Sequence, residues 1–279
     1  MAGHLRLHYA EWGSPDAPPL VLLHGGRDHC RSWDWVAEQL SRDWRIIAAD
    51  LRGHGDSDWS PEGNYTLLAL VHDFARLTAH LNAWPLTIVA HSLGGNIALR
   101  YAGLYPDRVS KIVSIEGLGL PPKLMKERQA LGVRERVRKW IGEMESISSK
   151  REQHAYSSFD EALQRMKDAN PNLSEEKIRH LTKHGVRQNE DQSISWKFDK
   201  FVRPISPVDL SPEDVSQLWA AITCPVLLCY GADSWASNPA EDGRAAHFQN
   251  AQVQTFPNAG HWLHHDQFDM FMGALRQFL

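Results

Sequence analysis

The sequence predicts an α/β fold in which a mostly parallel sheet carries helices on both faces. Short apolar runs alternate with amphipathic, helix-like segments through the first 116 residues, and this alternation resumes at residue 225. Between these two regions lies a charged, amphipathic stretch that shows no buried-strand pattern. The chain has 279 residues, of which 42% are hydrophobic, and this is enough for one large core with an inserted subdomain.

Six apolar runs are predicted as strands, because each is short, rich in aliphatic residues and followed by small or polar residues. They cover residues 19–23, 45–49, 86–90, 109–115, 225–230 and 253–256. Between the strands, apolar residues recur at helical spacing, as in the segment 66–82. Strands that alternate with helices of this length indicate parallel pairing.

The segment 118–221 is predicted to be an all-helical insertion after the strand that ends near Glu116. The run Ser211-Pro212-Glu213-Asp214 is typical of a helix start, because it combines a capping hydroxyl, an early proline and acids near the positive end of the helix dipole. The predicted core therefore consists of residues 1–117 and 222–279.

Composition excludes several functional classes. The formal net charge is −4, without the basic stripe of a nucleic-acid-binding protein. No apolar run approaches the roughly 18 residues of a membrane span, and the first 30 residues do not resemble a signal peptide. Three cysteines favour a reducing cytoplasm over a disulfide framework. The 15 histidines are interpreted as scattered, without a His-x-x-x-His pair beside a carboxylate, so we expect neither a metal nor a cofactor. Nothing in the pattern specifies an oligomer.

Several reactive-looking residues directly follow predicted strands: His24-Gly25-Gly26, Asp50, Ser92, Glu116 and Asp233. The carboxyl ends of parallel strands lie on one edge of the sheet, where ligands bind. We therefore expect these residues to converge on one site.

Ser92 is the predicted nucleophile. It lies in Ala90-His91-Ser92-Leu93-Gly94-Gly95, with small residues two positions away on each side. A serine on a sharp strand-to-helix turn needs small neighbours there, since bulky ones would clash. Such a turn exposes the hydroxyl at a helix N-terminus, where developing negative charge is favoured.

A serine hydroxyl is a weak nucleophile and needs a base. His261, in a small-residue turn after the last predicted strand, can serve as that base. A neutral imidazole needs an acid that fixes its tautomer, and Asp233, which follows the preceding strand, is the predicted acid.

With these residues in place, the sequence resembles the α/β-hydrolase superfamily, in its group with a helical cap. The matching pieces are His24-Gly25-Gly26, the run from Asp50 to Asp58, Ala90 to Gly95, Gly231-Ala232-Asp233 and Gly260-His261. The resemblance implies that Ser92 is the nucleophile, His261 the base and then the acid, and Asp233 the orienting acid. It also implies an oxyanion hole formed by the backbone N–H groups of Gly26 and Leu93.

The orienting acid has an alternative. Members of the family more often show Gly-x-x-Asp, which would place the acid at position 234, where this chain has serine. Some members take the acid from the end of the strand before the cap, and here that position is Glu116. Asp233 is the preferred assignment and Glu116 the alternative.

Other residues near these motifs have simpler interpretations. Trp235 and Trp262 are expected to wall an apolar substrate pocket, because each lies within two residues of a proposed catalytic group. His264 and His265 are expected on a polar helix face. Arg27 and Asp28 are interpreted as surface loop charges.

The predicted function is a serine hydrolase that cleaves a small apolar carboxylic ester through an acyl-enzyme. Hydrolysis of a carbon–carbon bond in a β-diketone-like compound is an alternative, because such relatives use the same three residues. A second alternative is a non-enzymatic small-molecule receptor on the same scaffold.

Overall fold

The computed structural model describes residues 5–149 and 155–279. A seven-stranded sheet has the order β1-β3-β2-β4-β5-β9-β10 and crosses the centre of the molecule. Its strands are β1 (Tyr9–Trp12), β2 (Pro19–Leu23), β3 (Arg45–Ala49), β4 (Leu86–His91), β5 (Val109–Ile115), β9 (Val226–Gly231) and β10 (Ala251–Phe256). All neighbouring pairs are parallel except β1 with β3. The predicted parallel sheet is confirmed.

The antiparallel edge strand β1 was not predicted. Its four residues are half-buried or exposed, because an edge strand with one covered face lacks the continuous apolar run of a central parallel strand. The central strand β4, in contrast, is buried along its whole length. This contrast explains why apolar runs reveal the inner strands and miss the edge.

Helices cover both faces of the sheet. One face packs against α2 (Leu67–Leu81), α3 (Leu93–Leu104) and α8 (Pro212–Ala220). The other face packs against α1 (Asp34–Leu40), α9 (Leu263–Asp266) and α10 (Phe268–Phe278). α8 begins at Ser211 with the predicted cap, where the hydroxyl accepts from the Asp214 N–H. The predicted boundary at residue 221 leaves α8 in the insertion, although Val215 and Trp219 of this helix are buried in the core.

The insertion is not all-helical, which corrects the prediction. It contains α4 (Pro122–Ala130), α5 (Val133–Ser149), α6 (Phe159–Ala169) and α7 (Glu175–Gly185), and also a small antiparallel sheet. The strands of that sheet are β6 (Ala155–Tyr156), β7 (Val186–Gln188) and β8 (Ile194–Trp196). Strands of two or three residues are too short to show a period, so pattern analysis misses them.

Hydrogen bonds join the insertion to the core. The ring of His29 contacts the backbone carbonyl of Leu181 on α7 through Nε2 at 2.9 Å. The hydroxyl of Tyr65 donates to Asp199 at 2.5 Å, and the Asp199 N–H donates to the Gly53 carbonyl at 2.8 Å. The insertion therefore rests on the loops that follow β2 and β3. Among the helices of the described residues, none has the length and apolar character needed to cross a bilayer.

Candidate active site

Ser92 occupies a sharp turn between β4 and α3. Its φ of 49° and ψ of −112° are unusual for a residue with a side chain, and such backbone strain is characteristic of a nucleophile turn. A Cβ at Gly94 would lie only 2.7 Å from the carbonyl oxygen of His24, so the requirement for small residues is physical. The Gly94 N–H also donates to that carbonyl at 3.1 Å, which ties the turn to the loop after β2.

The structure places His261 beside Ser92, as the sequence predicted. Nε2 of His261 lies 2.9 Å from the Ser92 hydroxyl, and Nδ1 lies 2.5 Å from Oε2 of Glu116. With the carboxylate ionised, Nδ1–H donates to Glu116 and Nε2 is free to accept the serine proton. The three side chains come from the ends of β4 and β5 and from the loop after β10.

Glu116 is held firmly in this position. Its side chain is 0% exposed. Oε1 accepts from the Gly231 N–H at 2.9 Å, and Oε2 accepts from the Ser234 hydroxyl at 2.6 Å. These donors fix the direction of the carboxylate toward His261.

The preferred acid of the sequence analysis is therefore displaced by its alternative. Asp233 is exposed, and its backbone N–H donates to the Ala259 carbonyl at 2.9 Å. In the described residues its side chain makes no hydrogen bond or ion pair with His261, whose Nδ1 contacts Glu116. The residue at the usual acid position is Ser234, and its hydroxyl supports the acid that β5 supplies.

His91 is a positioning residue that sequence reasoning missed. Its ring is 1% exposed, and Nε2 lies 2.9 Å from the backbone carbonyl of His261. The pKa of His91 is well below its usual value, because burial disfavours the charged ring and His261 lies nearby. A neutral His91 can donate to this carbonyl and so hold the loop that carries the base. In the sequence, the position of His91 directly before Ser92 indicated that it could lie close to the site.

Gly26 and Leu93, the predicted oxyanion donors, both line the cavity that contains Ser92. Gly25 lets this loop approach the nucleophile, since a Cβ there would lie 2.6 Å from the His91 ring and 3.3 Å from Ser92 Cβ. The loop and the turn are thus held close together, next to the serine hydroxyl.

The cavity is large, at about 1460 Å³, and lies between the sheet edge and the insertion. Trp235 and Trp262 line it, as predicted for pocket residues. The Trp235 ring lies 5.0 Å from the His261 ring. However, arginines from the core and the insertion also line the cavity, so its wall is not simply apolar.

The expectations for three polar residues, His264, His265 and Asp28, were wrong. His264 and His265 are 1% and 5% exposed, so they do not form a polar helix face. Asp28 is also buried, and burial raises its pKa to about 7. Arg27, which has φ of 64°, is exposed as expected, and it also lines the cavity.

The sequence analysis also overlooked a His-x-x-x-His pair. His180 and His184 lie one turn apart on α7, and their ring nitrogens and an Asp34 oxygen lie within 4.8 Å of one another. Asp34 is already bound by Arg31, whose Nη2 lies 2.6 Å from Oδ2. The three residues do not line the cavity that contains Ser92, and their contacts join α7 to α1.

The chain belongs to the α/β hydrolase fold family, whose pattern matches residues 18–268. Among solved structures, the thioesterase domain from the curacin biosynthetic pathway is similar, with a TM-score of 0.84 and 24% identity over 99% of this chain and 96% of that one. E-2-(acetamidomethylene)succinate hydrolase is similar with a TM-score of 0.80 and 23% identity, over 99% and 96% of the two chains.

Curated relatives carry hydrolase names. An esterase of Mycobacterium tuberculosis is 27% identical over 92% of this chain and 80% of its own length. A serine hydrolase-like protein of Danio rerio is 30% identical over 63% of this chain. The match spans 54% to 60% of the length of this and two similar serine hydrolases. Together, the family and these relatives support a hydrolase function.

Proposed function

We propose that the protein is a serine hydrolase that cleaves a carboxylic ester through an acyl-enzyme, with Ser92, His261 and Glu116 as its catalytic triad. The observation that carries the proposal is the continuous chain of contacts from the Ser92 hydroxyl through both ring nitrogens of His261 to Glu116. This is the geometry in which a nucleophile, its base and an orienting acid act together.

In the first half-reaction, the Ser92 oxygen attacks the ester carbonyl while its proton moves to Nε2 of His261. The imidazolium that forms is stabilised by Glu116. Collapse of the tetrahedral intermediate breaks the bond to the alcohol oxygen, which takes the proton from Nε2. Water then attacks the acyl-enzyme with the same histidine as base, and the carboxylic acid is released.

The N–H groups of Gly26 and Leu93 are proposed to bind the oxyanion of each tetrahedral intermediate. The contacts of Gly25 and Gly94 support this assignment, because they hold the loop after β2 against the nucleophile turn. Loss of one such donor costs on the order of 10²–10³ in rate.

A carboxylic ester is the proposed substrate class. Its support comes from the esterase among the relatives and from the tryptophans that flank His261, which offer an apolar surface to an acyl or alcohol group. The sequence indicated a small apolar ester. The cavity volume is above the usual range for sites that bind small molecules, about 300–1,000 Å³, so it accommodates a larger ester as well.

The test is labelling with a fluorophosphonate probe, which reacts with activated serines. We expect one label per chain, located at Ser92 by peptide mapping, and none in Ser92→Ala. Folded protein that does not react would overturn the proposal in favour of the receptor alternative. A panel of p-nitrophenyl esters, assayed beside a β-diketone, then separates ester hydrolysis from carbon–carbon hydrolysis.

A further inference from the structure

The charge of the cavity is opposite to that of the whole protein. Eight lysines and arginines line it, against four aspartates and glutamates, whereas the chain has a formal net charge of −4. A concave surface of one sign focuses its electric field and attracts ligands of opposite charge. The excess positive charge is therefore a property of this site.

All four acidic residues already have partners. Glu116 binds His261. Asp209 binds Arg100 at 2.7 Å, and Asp242 binds Arg244 at 2.7 Å. Asp266 accepts from the Gly260 N–H at 2.9 Å. These contacts account for two of the arginines and leave the other cations unbalanced.

Three of the remaining cations come from separate parts of the chain and line the same cavity. Arg27 directly follows Gly26, Arg165 lies on α6, and Arg203 follows the short turn at 200–202. Arg203 packs over the Phe198 ring at 5.5 Å. Within the part of the chain that the structure describes, none of the three guanidinium groups contacts a carboxylate.

Arg27 lies within the electrostatic influence of the other two arginines. Burial lowers the pKa of Arg27, and the positive charges of Arg203 and Arg165 lower it further. Like charges that line one cavity repel, and an anion bound between them would reduce this repulsion. Guanidinium groups suit carboxylate and phosphate in particular, because their planar forks donate two parallel hydrogen bonds.

We propose that Arg27, Arg165 and Arg203 form a subsite for an oxyanionic group, carboxylate or phosphate, on the ester that Ser92 attacks. Arg27 adjoins the Gly26 loop, so the anionic group lies on the same molecule as the reacting carbonyl. Two arginines belong to the insertion and one to the core, so the anion also joins these two parts. This proposal rests on the proposed function for its reaction, but not for its binding site.

Kinetics with matched esters test the subsite. The anionic probe is mono-p-nitrophenyl glutarate, its neutral counterpart is p-nitrophenyl valerate, and the p-nitrophenyl ester of 4-phosphonobutanoate replaces carboxylate by a phosphate-like group. A charged hydrogen bond contributes about 1.5–3 kcal/mol, which is about tenfold to a hundredfold in kcat/KM. We expect the wild-type enzyme to prefer at least one anionic ester by about this factor, and salt to reduce the preference.

Substitution of each arginine tests whether that residue causes the preference for the anionic ester. Arg27→Gln, Arg165→Gln and Arg203→Gln should each lower the ratio of anionic to neutral kcat/KM by about tenfold. The matched control is Arg138→Gln, because Arg138 is exposed on α5 and does not line the cavity, and it should leave the ratio unchanged. Equal decreases in the variants and the control would overturn the proposal, as would a wild-type enzyme that hydrolyses all three esters equally well.

Binding to Ser92→Ala protein separates the two proposals. Calorimetric titration with glutarate and with inorganic phosphate should show binding that Arg27→Gln weakens in the same background. If no ester is cleaved but an anion binds in this way, the proposed function fails and the subsite stands. If esters are cleaved but neither anion binds, the subsite is overturned and the proposed function stands.

Discussion

At the residue scale, contacts identify Glu116 as the acid beside His261, although the family motif favours an acid near position 234. Glu116 has φ of 48°, and its side chain reaches His261 in the loop after β10. Two hydrogen bonds, from Gly231 and Ser234, then hold its carboxylate against Nδ1 of His261. Asp233 is only one residue from the usual acid position, but that displacement leaves its side chain exposed.

Two amide substitutions compare these acids directly. Glu116→Gln should lower kcat on a p-nitrophenyl ester by about 10⁴, because an amide no longer stabilises the imidazolium and favours the wrong tautomer. Asp233→Asn should keep kcat within about twofold, the size expected for a surface substitution. Steady-state kinetics of the two purified variants is the measurement. A large loss in Asp233→Asn with near-normal Glu116→Gln would reverse the assignment.

At the scale of elements, the loop after β3 is fixed by a buried ion pair. Arg52 on this loop is 8% exposed and Asp73 on α2 is 4% exposed. Nη2 of Arg52 lies 2.6 Å from Oδ1 of Asp73, and Nη1 donates to the Asn64 carbonyl at 3.1 Å. The pair thus joins α2 to the loop on which the insertion rests.

Removal of one partner leaves the other charge buried without compensation. Asp73→Asn should lower the free energy of unfolding by about 3–5 kcal/mol. The control is Glu175→Gln, which removes the exposed ion pair between Lys167 and Glu175 and should leave stability almost unchanged. Urea unfolding at neutral pH measures both values, and similar values for the two variants would contradict a special role for the Arg52–Asp73 pair.

At the scale of the whole molecule, buried histidines link stability to pH. Burial lowers the pKa of six of them: His24, His29, His54, His91, His264 and His265. His24 shows why protonation is unfavourable, since one nitrogen contacts the Gly25 carbonyl while the other accepts from the Leu51 N–H. A second proton on this ring would break the latter bond.

The lowered pKa values of these histidines decide whether stability rises or falls with pH. The unfolded chain takes up protons as pH falls below about 6.5, while the buried rings stay neutral, so stability falls with falling pH. His29, His54 and His265, with pKa values of about 4, 3 and 3, together contribute about 4 kcal/mol per pH unit near pH 5. Asp28, whose pKa is raised to about 7, opposes them by about 1 kcal/mol per pH unit.

We therefore expect the free energy of unfolding to fall steeply between pH 6.5 and 5, as measured by urea titration at each pH. His264→Phe should reduce this slope by roughly 1 kcal/mol per pH unit, because the phenyl ring takes up no proton on unfolding. The change breaks no hydrogen bond of the described residues, since neither nitrogen of this buried ring has a partner there. The exposed His72 provides the control, and His72→Gln should keep the wild-type slope. A free energy of unfolding that does not change between pH 6.5 and 5 in the wild type would contradict the prediction.

The sequence by itself determined the parallel sheet and placed Ser92 and His261 at the same edge of it. These depend on short-range patterns: apolar runs, strand-to-helix turns and the rule that parallel strands end on one side. It did not determine the edge strand β1 or the small sheet in the insertion, because their strands are too short or too exposed to show a pattern.

Only the tertiary structure decided which acid contacts His261 and what charge the cavity has. Glu116 is 145 residues away from His261 in sequence, and Arg27, Arg165 and Arg203 lie on three separate segments. The direction of each of these side chains depends on backbone angles and on partners elsewhere in the chain, neither of which a local pattern contains. The turn at Ser92 was therefore predictable from local sequence, whereas the acid that contacts His261 and the charge of the cavity were not.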